Sequence, residues 1–171
     1  MKQKRTLPER YRPSVPCRCD ICVAYCMRPG WWTVSEAEAA YGAGLAPRMM
    51  LEMAPDLSFG VLAPAFKGCE GGFARQGGWG HGCTFLHQGL CELFGSGHSP
   101  LECLFCHHER AGRGALCHAA IERDWRMGGQ SLVKKWVGLM GLWEPYALAG
   151  ACAHIETAAR PAPIAQYTNR V

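Results

Sequence analysis

Residues 82–108, GCTFLHQGLCELFGSGHSPLECLFCHH, hold four cysteines (Cys83, Cys91, Cys103, Cys106) and four histidines (His87, His98, His107, His108) in 27 positions. Disulfides, covalent haem, metal binding and plain burial each explain such a density. The choice decides the fold, because the stretch before it, GCEGGFARQGGWGHGC at 68–83, is too rich in glycine for a regular helix or strand. Something other than an apolar core must fix those loops. Metal ligation at their ends would do so.

Inside the stretch, CTFLHQGLCEL at 83–93 reads as a β-hairpin with HQG as its turn. A three-residue turn places Phe85 opposite Cys91 and puts Cys83 and Cys91 on one sheet face, close enough for both sulfurs to reach one ion. A two-residue turn would send the two sulfurs to opposite faces.

Working outward, the chain has 171 residues, 49% hydrophobic and 19% charged, which suits one globular domain with two tails. Residues 1–15 carry Lys2, Lys4, Arg5, Arg10 and Arg12 against Glu9, with Pro8 and Pro13, and read as a basic arm. The domain is expected over 16–142, and 143–171 as a C-terminal extension, flexible after about 157. No apolar run suits a secretory signal or a membrane span, so the expected location is cytoplasmic. Thiols stay reduced there, and eleven cysteines, an odd number, point to metal or redox chemistry before disulfides.

The formal net charge of +4 is weak support for a nucleic-acid partner. Two zinc sites of four thiolates each would add about −8 from sulfur and about +4 from metal, leaving the total near zero.

Thr33 and Glu36 have capping-box spacing and predict a helix through SEAEAAYGAG, ending early at Gly42 and Gly44. APRMMLEMAP reads as a second short helix stopped by Pro55, and LSFGVLAPAF as a candidate strand. Two further helices close the domain. GALCHAAIERDWRM aligns Cys117, Ile121 and Trp125, and QSLVKKWVGLMG aligns Leu132, Val133, Trp136, Val137 and Met140, with Lys134 and Lys135 outside. Both stripes, and Trp31–Trp32 with Trp79, read most simply as packing. The expected fold class is mainly α: a small metal-stabilised domain of short helices, irregular Gly-rich loops and one candidate β-hairpin.

The chemistry lies in three groups. Cys17, Cys19, Cys22 and Cys26 form the first, Cys83 and Cys91 the second, and Cys103 and Cys106, followed by His107 and His108, the third. Cys19 with Cys22, and Cys103 with Cys106, have the C-x2-C spacing whose turn aims two sulfurs at one ion and offers backbone amides to the thiolates. No H-x3-5-H follows at zinc-finger spacing. Zinc and iron–sulfur clusters both accept four thiolates, so both stay open.

CLFCH at 103–107 also spells the haem-attachment motif, but that reading leaves nine cysteines unexplained. A redox dithiol lacks its strand–turn–helix context. Nucleophilic catalysis with His107, His108 or His118 as base has only chance pairing behind it. Cys19, Cys22, Cys26, Cys83, Cys91 and Cys103 are the leading ligands, Cys17 and Cys106 next, and Cys69, His107 and Cys117 behind them. Cys117 reads first as a core residue, and Cys152 as a spectator.

On these residues the chain resembles the YkgJ-type cysteine-cluster family, described as zinc- or iron-chelating. CRCDICVAYC corresponds to the family's opening cluster, CTFL supplies Cys83, GLCELF supplies Cys91, and SPLEC supplies Pro100 and Cys103. The opening cluster is looser here, without adjacent cysteines, and CHH and Cys117–His118 enlarge the ligand set. The resemblance implies a metal-chelating domain holding zinc or iron, and some relatives are linked to flagellin lysine methylation.

Three functions follow as expectations. The first is a non-catalytic metal-binding protein. The second is an iron–sulfur or iron-dependent enzyme. The third is a zinc-organised adaptor for nucleic acid or protein, resting on the basic arm and on Trp31, Trp32 and Trp79.

Overall fold

Helix α2 (Val34–Ala40) begins where the sequence predicts. In the computed structural model, which describes residues 15–74, 81–105, 107–110 and 114–147, the Thr33 hydroxyl accepts from the Glu36 amide and the Glu36 carboxylate accepts from the Thr33 amide. That reciprocal cap satisfies two donors at the helix start. The helix loosens into a π-turn (Tyr41–Leu45), broken at Gly44. Residues 1–14, Trp79, Cys106, Cys152 and everything beyond 147 lie outside the described residues, and with them the basic arm and most of the C-terminal extension.

The next segment departs from expectation. Only Ala46–Arg48 is helical, and Met49–Met53 forms strand β1, antiparallel to β2 (Gly60–Pro64) with Leu51 opposite Leu62. Methionine and leucine favour helix in isolation. Here Met49, Met50 and Leu51 are fully buried in succession, which a one-sided helix cannot achieve and a strand covered on both faces can. Phe73 adds an isolated bridge to Leu51.

Helices α3 (Gly114–Asp124) and α4 (Gln130–Met140) are joined through a π-turn at Trp125–Gly129. Cys117, Ile121 and Trp125 are fully buried along the first, and Leu132, Val133, Trp136 and Val137 are buried along the second. The predicted stripes are core. Lys134 and Lys135 face outward.

Tryptophan organises the centre. Trp32, Trp125 and Trp136 are fully buried, and their indole N–H groups donate to the carbonyls of His98, Trp32 and Ala46. Trp31 donates to the Glu52 carboxylate at 2.7 Å. Each large ring is thereby buried without stranding its polar edge. Since Trp31 and Trp32 are structural, the adaptor reading loses its aromatic support there.

The hairpin is present in a different register. Strands β3 (Leu86–His87) and β4 (Leu90–Cys91) pair Leu86 with Cys91, around a two-residue turn. Gln88 and Gly89 both have positive φ, as a type I′ turn demands. The expected three-residue turn is therefore wrong. Cys83 is not sent to the far face as a result, because alternation stops at Leu86: the Leu86 amide closes a turn onto the Cys83 carbonyl, and Cys83 instead bridges Phe66. No described helix is long and apolar enough to cross a membrane.

Candidate metal centres

The opening cysteine cluster is divided between two places by helix α1 (Asp20–Tyr25). Cys19 precedes the helix in extended conformation, Cys22 lies in its first turn, and Cys26 follows its last. Cys22 and Cys26, four residues apart, are neighbours along one helical face. They nevertheless join different groups.

The first group is Cys17, Cys19, Cys22 and His108, whose ligand atoms all lie within 4.8 Å of one another. His108 Nδ1 stands 3.6 Å from the sulfurs of Cys17 and Cys19 and 3.4 Å from that of Cys22. A ring nitrogen has one proton or one lone pair, so it cannot hydrogen-bond three sulfurs at once. A tetrahedral ion with Zn–S of about 2.3 Å and Zn–N of about 2.0–2.1 Å gives S···N edges of about 3.5–3.6 Å. The residues fit such an ion.

His108 reaches this group from a short 3-10 turn (His108–Arg110), and its own amide donates to Cys22 Sγ at 3.4 Å. The Cys22 amide, facing the Cys19 sulfur from the helix start, holds the Cys19 thiol down at about 7, with the neighbouring Cys17, Cys22 and His108 assisting. Burial pushes the Cys22 thiol up to about 11, against the pull of the His108 amide.

Cys26, Cys83, Cys91 and Cys103 form a looser second set, outside the groups whose ligand atoms all lie within 4.8 Å of one another. With Tyr25, Arg28, Pro29 and Leu86 they line a cavity of about 20 Å³, room for one ion or water. The Cys83 amide donates to the Cys26 carbonyl at 2.9 Å, tying the end of α1 to the start of the hairpin segment. Cys103 comes from the 3-10 turn Glu102–Phe105 and lies against Gly30, where a β-carbon would stand 2.9 Å from its sulfur. Glycine is needed there for the backbone to approach so closely.

Burial, then the charges of Cys103 and Cys91, push the Cys26 thiol up to about 12. Burial likewise raises Cys83 far above the usual thiol range, opposed by the Phe85 amide 3.4 Å from its sulfur, and burial, followed by the charge of Cys103, raises the Cys91 thiol. A dication held there would favour the thiolate forms of these cysteines.

Other predicted positions fall elsewhere. Cys69 and Cys117 are buried in the apolar core, and burial pushes the Cys117 thiol up to about 12. His107 is stacked on His108, its ring centroid 4.3 Å away, and does not join the three cysteines. Its Nδ1 accepts from the Glu109 amide, and its buried Nε2 has no partner among the described residues. His118 Nδ1 donates to the Glu102 carboxylate at 2.7 Å, and its ring lies tilted over Trp31, centroids 4.2 Å apart. Among the described residues the nine cysteines form no disulfide.

His108 is the candidate ligand that sequence reading missed. The run CHH marked the place, but spacing does not say which of two adjacent imidazoles turns toward a partner some ninety residues away.

Comparison with known proteins gives no match to a family model, to a curated protein or to a solved structure.

Proposed function

We propose that this chain is a cytoplasmic, non-catalytic metal-binding protein of the YkgJ type. Clustered thiolates hold its metal, with zinc as the preferred ion and iron as the alternative. The observation that carries the reading is the Cys17, Cys19, Cys22 and His108 group, whose ligand atoms all lie within 4.8 Å of one another with the three sulfurs 3.4–3.6 Å from His108 Nδ1. Three thiolates and one imidazole are a ligand set of closed structural zinc sites. The residues behind the family resemblance add support, since Cys26, Cys83, Cys91 and Cys103 line one small cavity.

Zinc at these places supplies cross-links and no redox chemistry. The chain's own part is to bring α1, the hairpin and the 102–110 segment together so that eight ligands form two sets. Elemental analysis of full-length protein, purified without oxygen or chelators, should find two zinc ions per chain, and one in the Cys17→Ser/Cys19→Ser variant. A chain free of zinc and iron would reject the reading.

A second reading, an iron-dependent or iron–sulfur enzyme, is favoured by one feature. Cys17, Cys22, Cys26, Cys91 and Cys103 all border a cleft of about 560 Å³. Iron with matching inorganic sulfide in the same analysis would favour it.

A further inference from the structure

The two groups differ in how deeply the fold depends on them. Cys83 belongs to the apolar core, Cys91 packs against that core, and backbone hydrogen bonds join Cys83 to Cys26 and residue 82 to Lys67. Glu102, beside Cys103, accepts from the Trp31 amide at 2.6 Å. An ion held there fastens three parts of the chain, the end of α1, the hairpin segment and the Glu102–Phe105 turn.

The other group is peripheral. Cys19 and His108 are exposed, Cys17 is half-buried and Cys22 is buried, and none of the four belongs to the apolar cluster that contains Cys83. Cys17 and Cys22 stand on the wall of the 560 Å³ cleft, as do Cys26, Cys91 and Cys103, so what sets the first group apart is the exposure of Cys19 and His108 to solvent. His108 is also shared with a second possible ligand group, His107 and Glu109, whose ligand atoms lie within 4.8 Å of its own. Alternative donors therefore stand beside the ion's exit.

We propose that Cys17, Cys19, Cys22 and His108 hold a transferable metal ion that passes to thiol acceptors, while Cys26, Cys83, Cys91 and Cys103 retain a structural one. The inference rests on reading both groups as metal sites. The step is ligand exchange without redox change. Each incoming thiol loses its proton as its sulfur bonds the metal, one cysteine–metal bond breaks, and the released cysteine takes a proton. His108 leaves as a neutral imidazole.

The test uses full-length protein loaded with zinc, challenged with glutathione in the presence of a chromogenic zinc indicator, while tryptophan fluorescence is followed. One ion should leave at least about tenfold faster than the other, with fluorescence changing only in the slow phase. Cys19→Ser and, independently, His108→Ala should remove the fast ion and keep the slow one. Two ions leaving in a single phase, or fluorescence lost with the first ion, would overturn the transfer proposal and leave metal binding intact. A chain that takes up no zinc would overturn both.

Discussion

Cys83→Ser is expected to unfold the protein at ambient temperature. Its side chain is buried at the edge of the core and lines the cavity shared with Cys26, Cys91 and Cys103. Serine keeps the volume roughly but supplies no thiolate, leaving three sulfurs around an incomplete site. Structural zinc contributes about 10–16 kcal/mol of apparent binding free energy in small zinc-finger peptides, against about 5–15 kcal/mol for the net stability of a whole domain. Losing half of the former, about 5–8 kcal/mol, is comparable with the lower half of the latter range. Thermal unfolding followed by circular dichroism should show no cooperative transition, or one lowered by tens of degrees. Cys117→Ala, at a buried cysteine that belongs to neither group, should retain both ions and a cooperative transition. A Cys83→Ser protein with wild-type Tm would contradict the structural role of the site.

Trp125→Ala is the second large effect, and it acts through packing alone. The ring is fully buried where α3 passes into α4, and its N–H donates to the Trp32 carbonyl at 2.7 Å. Removing a buried tryptophan costs about 3–5 kcal/mol through lost transfer energy and the cavity left behind. The Trp32 carbonyl, left without its partner, adds about 1–3 kcal/mol. Urea unfolding of the zinc-loaded variant should therefore show a loss of about 4 kcal/mol or more. Its zinc content should not change, because Trp125 touches neither group. A loss below about 1 kcal/mol would mean that the ring is not the core element described here.

These two cases also show what was legible in the sequence. The Thr33–Glu36 cap and the stripes through Trp125 and Trp136 were readable because each depends on residues within one or two turns of one another. Met49–Met53 was not. Its methionines suit a helix locally, and only the distant partner strand at Gly60–Pro64 makes it extended. The hairpin was readable as a hairpin, but its register hung on one residue of turn length, and Gln88 accepts the positive φ that a shorter turn requires.

The site was legible in its members and hidden in its partition. All seven described cysteines of the two groups stand out by spacing. Nothing along the chain says that Cys22 and Cys26, neighbours on one helix, serve different centres. That division depends on His108 approaching one end of α1 and Cys83 the other, contacts 86 residues apart in the first case. The C-x2-C pair at 103 and 106 was the strongest local signal of its segment, yet Cys103 joins its group through Cys26, Cys83 and Cys91, and Cys106 lies outside the described residues.

The most direct test of the central claim is zinc K-edge X-ray absorption on the zinc-loaded chain. Two ions held by the two groups should give, between them, seven sulfurs at about 2.3 Å and one imidazole nitrogen at about 2.0–2.1 Å, the nitrogen signature disappearing in His108→Ala. A first shell dominated by oxygen and nitrogen, or one unaffected by that substitution, would contradict the account.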